Sequence, residues 1–283
     1  MIDVNSIDWN AAWKKPDGEE GRKLGFISCG RRWSDVDRCR RFNDAMKEDN
    51  WAGSQARIAA MDIRSDSRVL DIGAGPGTLA IPLSGIVSHV TAVEPSDAMR
   101  SCLLENIAHD GISNISVVPK KWEEVDVRQD LTPPYDVVVA SYSLGFPDLR
   151  EGLEKMVAAS SRYVYIFWFA DMMSPWQRNY GEIWEQLYGI PRPSGKKPNI
   201  IYNLLHQMGI YANIDIRKEE SIHRYSSLDE AIADQKEGLH LTTPEQEEIL
   251  RDFLDKKLIR ENGTVVLREL THRAKIWWNV NDQ

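Results

Sequence analysis

The run Val69-Leu70-Asp71-Ile72-Gly73-Ala74-Gly75-Pro76-Gly77 constrains this chain more than any other feature. Apolar residues lead into a loop with Gly at every second position, and helical patterning follows. A strand ending in such a loop turns backbone N–H groups toward the crevice at the carboxyl end of a sheet. Glycine there permits unusual backbone angles and lets a ligand lie directly against the chain. The spacing separates ligand classes. A dinucleotide fingerprint, GxGxxG, needs its third Gly at position 78, which is Thr78, and a P-loop needs a Lys that does not follow here. What stands in the sequence is GxGxG with an acidic residue two positions ahead of it. Its implied ligand needs no pyrophosphate cradle.

The run opens a series. Apolar stretches at 68–73, 90–95, 115–119, 135–142 and 163–169 are rich in Val and Ile and nearly continuous. Strands buried on both faces read this way. Helical segments at 97–110 and 148–159 alternate with them, so a parallel sheet with right-handed crossovers is expected. Ahead of the series, residues 1–60 carry helical patterning. Ser34 and Asp37 mark a start, and Val36, Cys39, Phe42 and Met46 fall on one face. This segment is expected as a helical cap on a domain spanning 61–283. Two insertions are expected in that domain, at 171–198 and 222–262. Helices are expected at 176–188, 199–208, 227–235 and 243–258, with late strands at 211–217 and 264–277.

Charge and cysteine narrow the partners. Forty-three Asp and Glu outweigh 35 Lys and Arg, for a net charge of −8, which disfavours a nucleic-acid substrate. Cys29, Cys39 and Cys102 form neither a CxxC pair nor a zinc-spaced cluster, so no metal is expected. No secretory signal pattern opens the sequence, and no stretch approaches 18 apolar residues. A cytoplasmic protein with reduced thiols is the expectation.

With these residues in view, Asp71-Ile72-Gly73-Ala74-Gly75-Pro76-Gly77 resembles the first motif of the class I S-adenosylmethionine-dependent methyltransferases. The resemblance implies S-adenosyl-L-methionine as cofactor. It implies a three-layer α/β sandwich around a seven-stranded, mostly parallel sheet with an antiparallel seventh strand. Asp71 would address the cofactor's amino-acid end, while Gly73, Ala74, Gly75, Gly77 and Thr78 pass beneath methionine and ribose. Glu94 ends the second strand, 17 residues past Gly77. The family's ribose carboxylate stands there, with Pro95 beside it, and two carboxylate oxygens match a vicinal diol. Met99 resembles the position that packs on adenine, with ordinary core packing as the alternative. Lys121 stands where the family often has an adenine-binding Asp. That leaves Trp122 to stack and Glu123 to accept. Ser141 and Tyr142, closing the fourth strand, would lie beside the transferable methyl group.

Two departures from the family pattern bear on the fold. Thr132-Pro133-Pro134-Tyr135 resembles the Asp/Asn-Pro-Pro-Tyr signature of amino-group methylases, but it precedes the fourth strand and is read as a turn. The usual Pro-Gly-Gly turn before strand five is replaced by Ala158-Ala159-Ser160-Ser161-Arg162, so a different connection is expected.

The methyl acceptor is less legible. The expected acceptor is a small molecule under an aromatic cap. The alternative is a side chain of a partner protein recruited by the acidic surface, and a binding protein without catalysis comes third. Candidate acceptor-side residues are Trp33, Phe42, Tyr142, Asp171, Trp176 and Tyr180, with Trp184 nearby; for any single cap aromatic, ordinary packing between cap and core is the simpler reading. The insertion between the last two strands could serve a homodimer. No general base stands out. His206, His223, His240 and His272 are scattered, and a lone His is ordinarily structural or at the surface.

Overall fold

Short Val-rich strands bury both faces only when helices cover each side of the sheet. The computed structural model, which describes residues 6–14, 33–170, 180–190, 198–261 and 263–282, has this arrangement. Eight strands are β1 (Arg68–Ile72), β2 (His89–Val93), β3 (Ile115–Val118), β4 (Tyr135–Ser141), β5 (Ser160–Phe169), β6 (Asn213–Tyr225), β7 (Ile259–Glu261) and β8 (Thr264–Asn279). Their order is β3-β2-β1-β4-β5-β8-β6, with β7 added alongside β8. β1 to β5 are mutually parallel, whereas β8 runs antiparallel to both β5 and β6. The architecture is the expected three-layer sandwich, with eight strands among the described residues in place of seven because the short β7 joins the sheet.

Alternation along each strand sorts side chains between two cores. Leu70, Ile72, Val138, Ala140, Val164 and Ile166 face one side. They pack with α1 (Trp9–Lys14), α6 (Leu149–Ala159) and α8 (Pro198–Gln207). Val69, Val137, Val139, Tyr165 and Phe167 face the other, with α3 (Ala52–Ile58), α4 (Ala80–Ser84) and α5 (Asp97–His109). The N-terminal helices therefore divide between the faces. Trp13 of α1 lies in the first core, its indole N–H donating to the Phe146 carbonyl at 3.1 Å. α2 (Val36–Glu48) lies along α5 on the other face, where Asn106 donates to Asn43 at 2.7 Å and to the Pro76 carbonyl at 2.9 Å. That buried bridge ties α2 to the glycine loop.

β6 and β8 run beyond the sheet's carboxyl edge as a two-stranded ribbon, Asn213 to Tyr225 pairing with Trp277 back to Val265. α7 (Trp184–Tyr188), α9 (Leu228–Leu239) and α10 (Pro244–Lys257) close on it around a third core of Tyr180, Leu187, Ile232, Leu250, Phe253 and Leu267. α10 begins with a capping box, Thr243 and Gln246 bonding each other's backbone, and Pro244 takes the first helical turn. At α2 the cap is Asp35, one residue past Ser34. The missing Pro-Gly-Gly turn has a simple replacement, since Ser160 both ends α6 and starts β5.

Candidate functional site

β1 delivers Asp71 to the carboxyl edge, and the chain then turns through Gly73, Gly75 and Gly77, all with positive φ. Gly73 is required on a second count. A Cβ there would stand 2.4 Å from the Ser143 Cβ, so this loop touches the segment following β4 directly. The same Cβ built at Gly75 meets nothing within 4 Å, leaving open space above the backbone. The Gly73 and Ala74 N–H groups donate to the Val93 carbonyl, at 2.8 and 3.1 Å, which pins the loop to the end of β2.

Two buried carboxylates flank this loop. Asp71 is 1% exposed, and its carboxylate accepts from the Ala80 N–H at the start of α4, while its Oδ2 has no partner. Burial chiefly, and then the nearby Glu94 charge, push its carboxyl up to about 7, against the pull of Arg57. Glu94 accepts from the Gly75 N–H at 2.7 Å and the Ser96 N–H at 2.8 Å, one on each oxygen. Burial raises its pKa too, and the two backbone donors oppose the rise. An ionised carboxylate offers about four lone-pair sites. One therefore remains on each Glu94 oxygen, side by side, as a vicinal diol requires.

Above Glu94 sits the start of α2. The Ser96 hydroxyl donates to the Trp33 carbonyl, and the Trp33 ring packs on Phe42 with centroids 5.2 Å apart. These two aromatics thus flank the β2 end rather than the β4 end. α2 is latched to the ribbon helices, where Arg38 and Arg41 both reach Glu237 of α9, at 3.4 and 3.2 Å. Met99 is buried in α5 directly after the Ser96 cap, Pro95 is exposed, and Thr78 is half-buried in the turn ahead of α4.

Several expected residues stand elsewhere. Trp122 belongs to the main core, its N–H donating to the Gly152 carbonyl at 3.0 Å, so its indole is committed to packing under α6. Glu123 is exposed. Tyr180 is not a lining residue: it is 1% exposed inside the ribbon's own core, with its hydroxyl bonded to Gln235. Trp184 is likewise buried, stacked on Tyr188. Asp171 and Trp176 lie outside the described residues. Tyr135 begins β4 at the opposite edge, its hydroxyl donating to Thr91, as a turn reading of the Pro-Pro segment requires. Of the histidines, His223 pairs with Glu269 on the ribbon, His240 caps α9 and His206 packs on Tyr211. The His272 carbonyl accepts from the Ala170 N–H. Among the described residues, no group of three or more His, Cys, Asp or Glu could hold a metal ion, and no helix is long and apolar enough to cross a membrane.

At the β4 end Ser141 is half-buried and Tyr142 takes a left-handed φ of 56°. Its ring packs on Phe169 at 5.0 Å, and two guanidinium groups stand over it, Arg273 at 4.9 Å and Arg57 at 5.5 Å from its centroid. Burial pushes its phenol pKa up, against the pull of both arginines. Sequence reasoning missed Arg57 and Arg273. They stand far apart in the chain and in no motif; the β5–β8 pairing of Phe169 with Arg273 brings Arg273 to this edge, and α3 carries Arg57 there.

A glycine loop at a topological switch point, an orphaned buried carboxylate oxygen and a second carboxylate at the next strand end fit a ligand with cationic and diol groups, of the adenosyl-amino-acid kind. Comparison with known proteins agrees. Residues 46–166 match the methyltransferase-domain family. An uncharacterised protein of Haemophilus influenzae is 31% identical over 234 residues, covering 81% of this chain and 82% of that one. Protein-L-isoaspartate O-methyltransferase 1 of Rhodopseudomonas palustris is 32% identical over 111 residues, covering 38% of this chain and 42% of that one. The fold is shared with a solved candidate methyltransferase of Bacillus halodurans at a TM-score of 0.56 and 12% identity, covering 81% and 99% of the two chains. The chain belongs to the class I S-adenosylmethionine-dependent methyltransferases. S-adenosyl-L-methionine is the methyl donor of that family.

Proposed function

We propose that this enzyme methylates a small organic molecule enclosed at the carboxyl edge of the sheet. Asp71 and the loop 73–77 hold the methionine end of the cofactor, and Glu94 holds the ribose hydroxyls. The open space above Gly75 and the orphaned Asp71 Oδ2 support this placement. Trp33, Phe42 and Met99 wall the adenosine side. When bound, the cofactor supplies a methyl group made electrophilic by its sulfonium. The protein's task is then to align the acceptor with the S–CH₃ axis and exclude water. Ser141 and Tyr142 stand where the acceptor must approach, because the Gly73–Ser143 contact joins the β4 end to the loop.

The observation that carries the small-molecule reading is enclosure. Glu94 is 6% exposed beneath α2, and α2 is clamped through Glu237 to helices resting on the ribbon. A roof built from both ends of the chain suits an acceptor that is swallowed, not a polymer laid across a groove. The test is transfer from methyl-labelled S-adenosylmethionine into the metabolite and protein fractions of a cell extract. Label in the small-molecule fraction is expected. Label confined to protein would overturn the reading in favour of a side-chain methyltransferase.

A further inference from the structure

Beside Tyr142 the described surface holds a narrow cleft. Its walls are Arg57 of α3, Tyr142 and Phe167, and the ribbon residues Asp215, Arg217, Glu219, Arg273 and Lys275. The strand register places these groups together at the carboxyl edge: Phe169 pairs with Arg273, and Arg273 with Arg217. The cleft has a cationic excess, four cations against two carboxylates, in a chain whose net charge is −8. Lys275 is neutralised by Asp215 at 2.7 Å and donates to the Ala60 carbonyl. Arg273 keeps only a loose contact, its Nε 3.4 Å from Glu219 and without hydrogen-bond geometry. Arg57 has no ion pair within 4 Å among the described residues; it donates to the Ser54 hydroxyl, bonds the Tyr142 phenol and is attracted by the buried Asp71 carboxylate, while its Nε has no partner.

We infer that this cleft receives a carboxylate of the methyl acceptor, gripped between the guanidinium groups of Arg57 and Arg273 over the Tyr142 ring. The inference rests on the methyltransferase reading above. Two like charges on one ring repel each other, and an anion between them converts that repulsion into two attractions. A guanidinium presents a planar fork of N–H groups, which a carboxylate matches with two parallel hydrogen bonds. The cleft is small and open on one side, with a volume of about 40 Å³. It admits a small group of the acceptor, and the rest projects out of the cleft. Asp215 and Glu219 on the same wall oppose a dianion, which favours a carboxylate over a phosphate. The left-handed backbone at Tyr142 is a strain of the kind that ligand clamps retain.

The test uses the full chain saturated with S-adenosylhomocysteine and three probes of similar shape: benzoate, benzamide and phenylphosphonate. Calorimetry should show benzoate binding at least tenfold tighter than benzamide. Arg273→Gln and Arg57→Gln should each lower that affinity about tenfold or more, with circular dichroism confirming the fold and Arg273→Gln leaving S-adenosylhomocysteine affinity unchanged. Benzoate binding no better than benzamide, or indifferent to the Arg273→Gln variant, would overturn the inference while leaving the methyltransferase reading intact. Phenylphosphonate binding tighter than benzoate would also overturn it, assigning the cleft to phosphate. Failure of S-adenosylhomocysteine itself to bind would strike the earlier reading instead.

Discussion

Asp71→Asn should strengthen the empty protein and weaken its hold on the cofactor. In the folded chain the carboxyl is displaced from 3.8 to about 7. A group whose folded pKa is raised binds a proton that the unfolded chain has released. Its contribution to stability therefore falls as pH climbs from about 4 through 7 and reaches its full cost above that. At about 1.4 kcal/mol per tenfold, keeping Asp71 ionised costs on the order of 4 kcal/mol. Asparagine keeps the shape and the acceptor toward Ala80 but carries no charge. It gives up part of the gain, because its amide N–H₂ replaces the orphaned oxygen without a partner. The net gain at pH 8.5 should be roughly 1–4 kcal/mol. Urea denaturation at pH 5.5 and 8.5, on wild type and variant, reads Asp71 together with its coupling to Glu94, since the difference of differences removes independent titrations such as that of His223. Cofactor affinity should move the opposite way, falling roughly 10- to 100-fold as the charged partner of the ammonium disappears. Equal pH dependence in the two proteins would refute the burial argument.

Other expectations follow from the same geometry. Gly73→Ala combines a positive φ with the 2.4 Å approach to Ser143 and should cost roughly 3 kcal/mol or more in denaturant midpoint, whereas Gly75→Ala, with the same φ sign and open space, should cost about 1–2 kcal/mol. Trp13→Ala removes a fully buried indole and its bond to Phe146, and a loss of about 3–5 kcal/mol is expected by chemical unfolding. Thr243→Ala dismantles the α10 capping box at a cost of about 1 kcal/mol. That loss should appear as faster amide hydrogen exchange in α9 and α10 with the central sheet unaffected.

The reach of the sequence had physical limits. β1 to β5 were readable because strands buried on both faces must be almost wholly apolar. β6 was foreseen only to Arg217, because Lys218-Glu219-Glu220 offers no hydrophobic alternation; that stretch is a strand because β8 pairs with it along the ribbon. β7, three residues long, falls below any periodic signal. The grouping of Asp71, the loop and Glu94 at adjoining strand ends was legible since their spacing is local to two strand–loop units. Trp122 and Tyr180 were misplaced for the converse reason. An aromatic residue reads the same whether it lines a cleft or fills a core, and only tertiary packing decides. The Arg57–Arg273 pair, brought together by long-range pairing, left no trace in the order of residues.

The central claim is that the Gly73-to-Gly77 loop and Glu94 together form the S-adenosylmethionine site. It is tested most directly by titrating S-adenosylhomocysteine into wild type and Glu94→Ala by calorimetry. Wild type should bind in the micromolar range or tighter, and loss of both charge-assisted bonds to the ribose should weaken binding about a hundredfold. Undiminished affinity in Glu94→Ala would contradict the account.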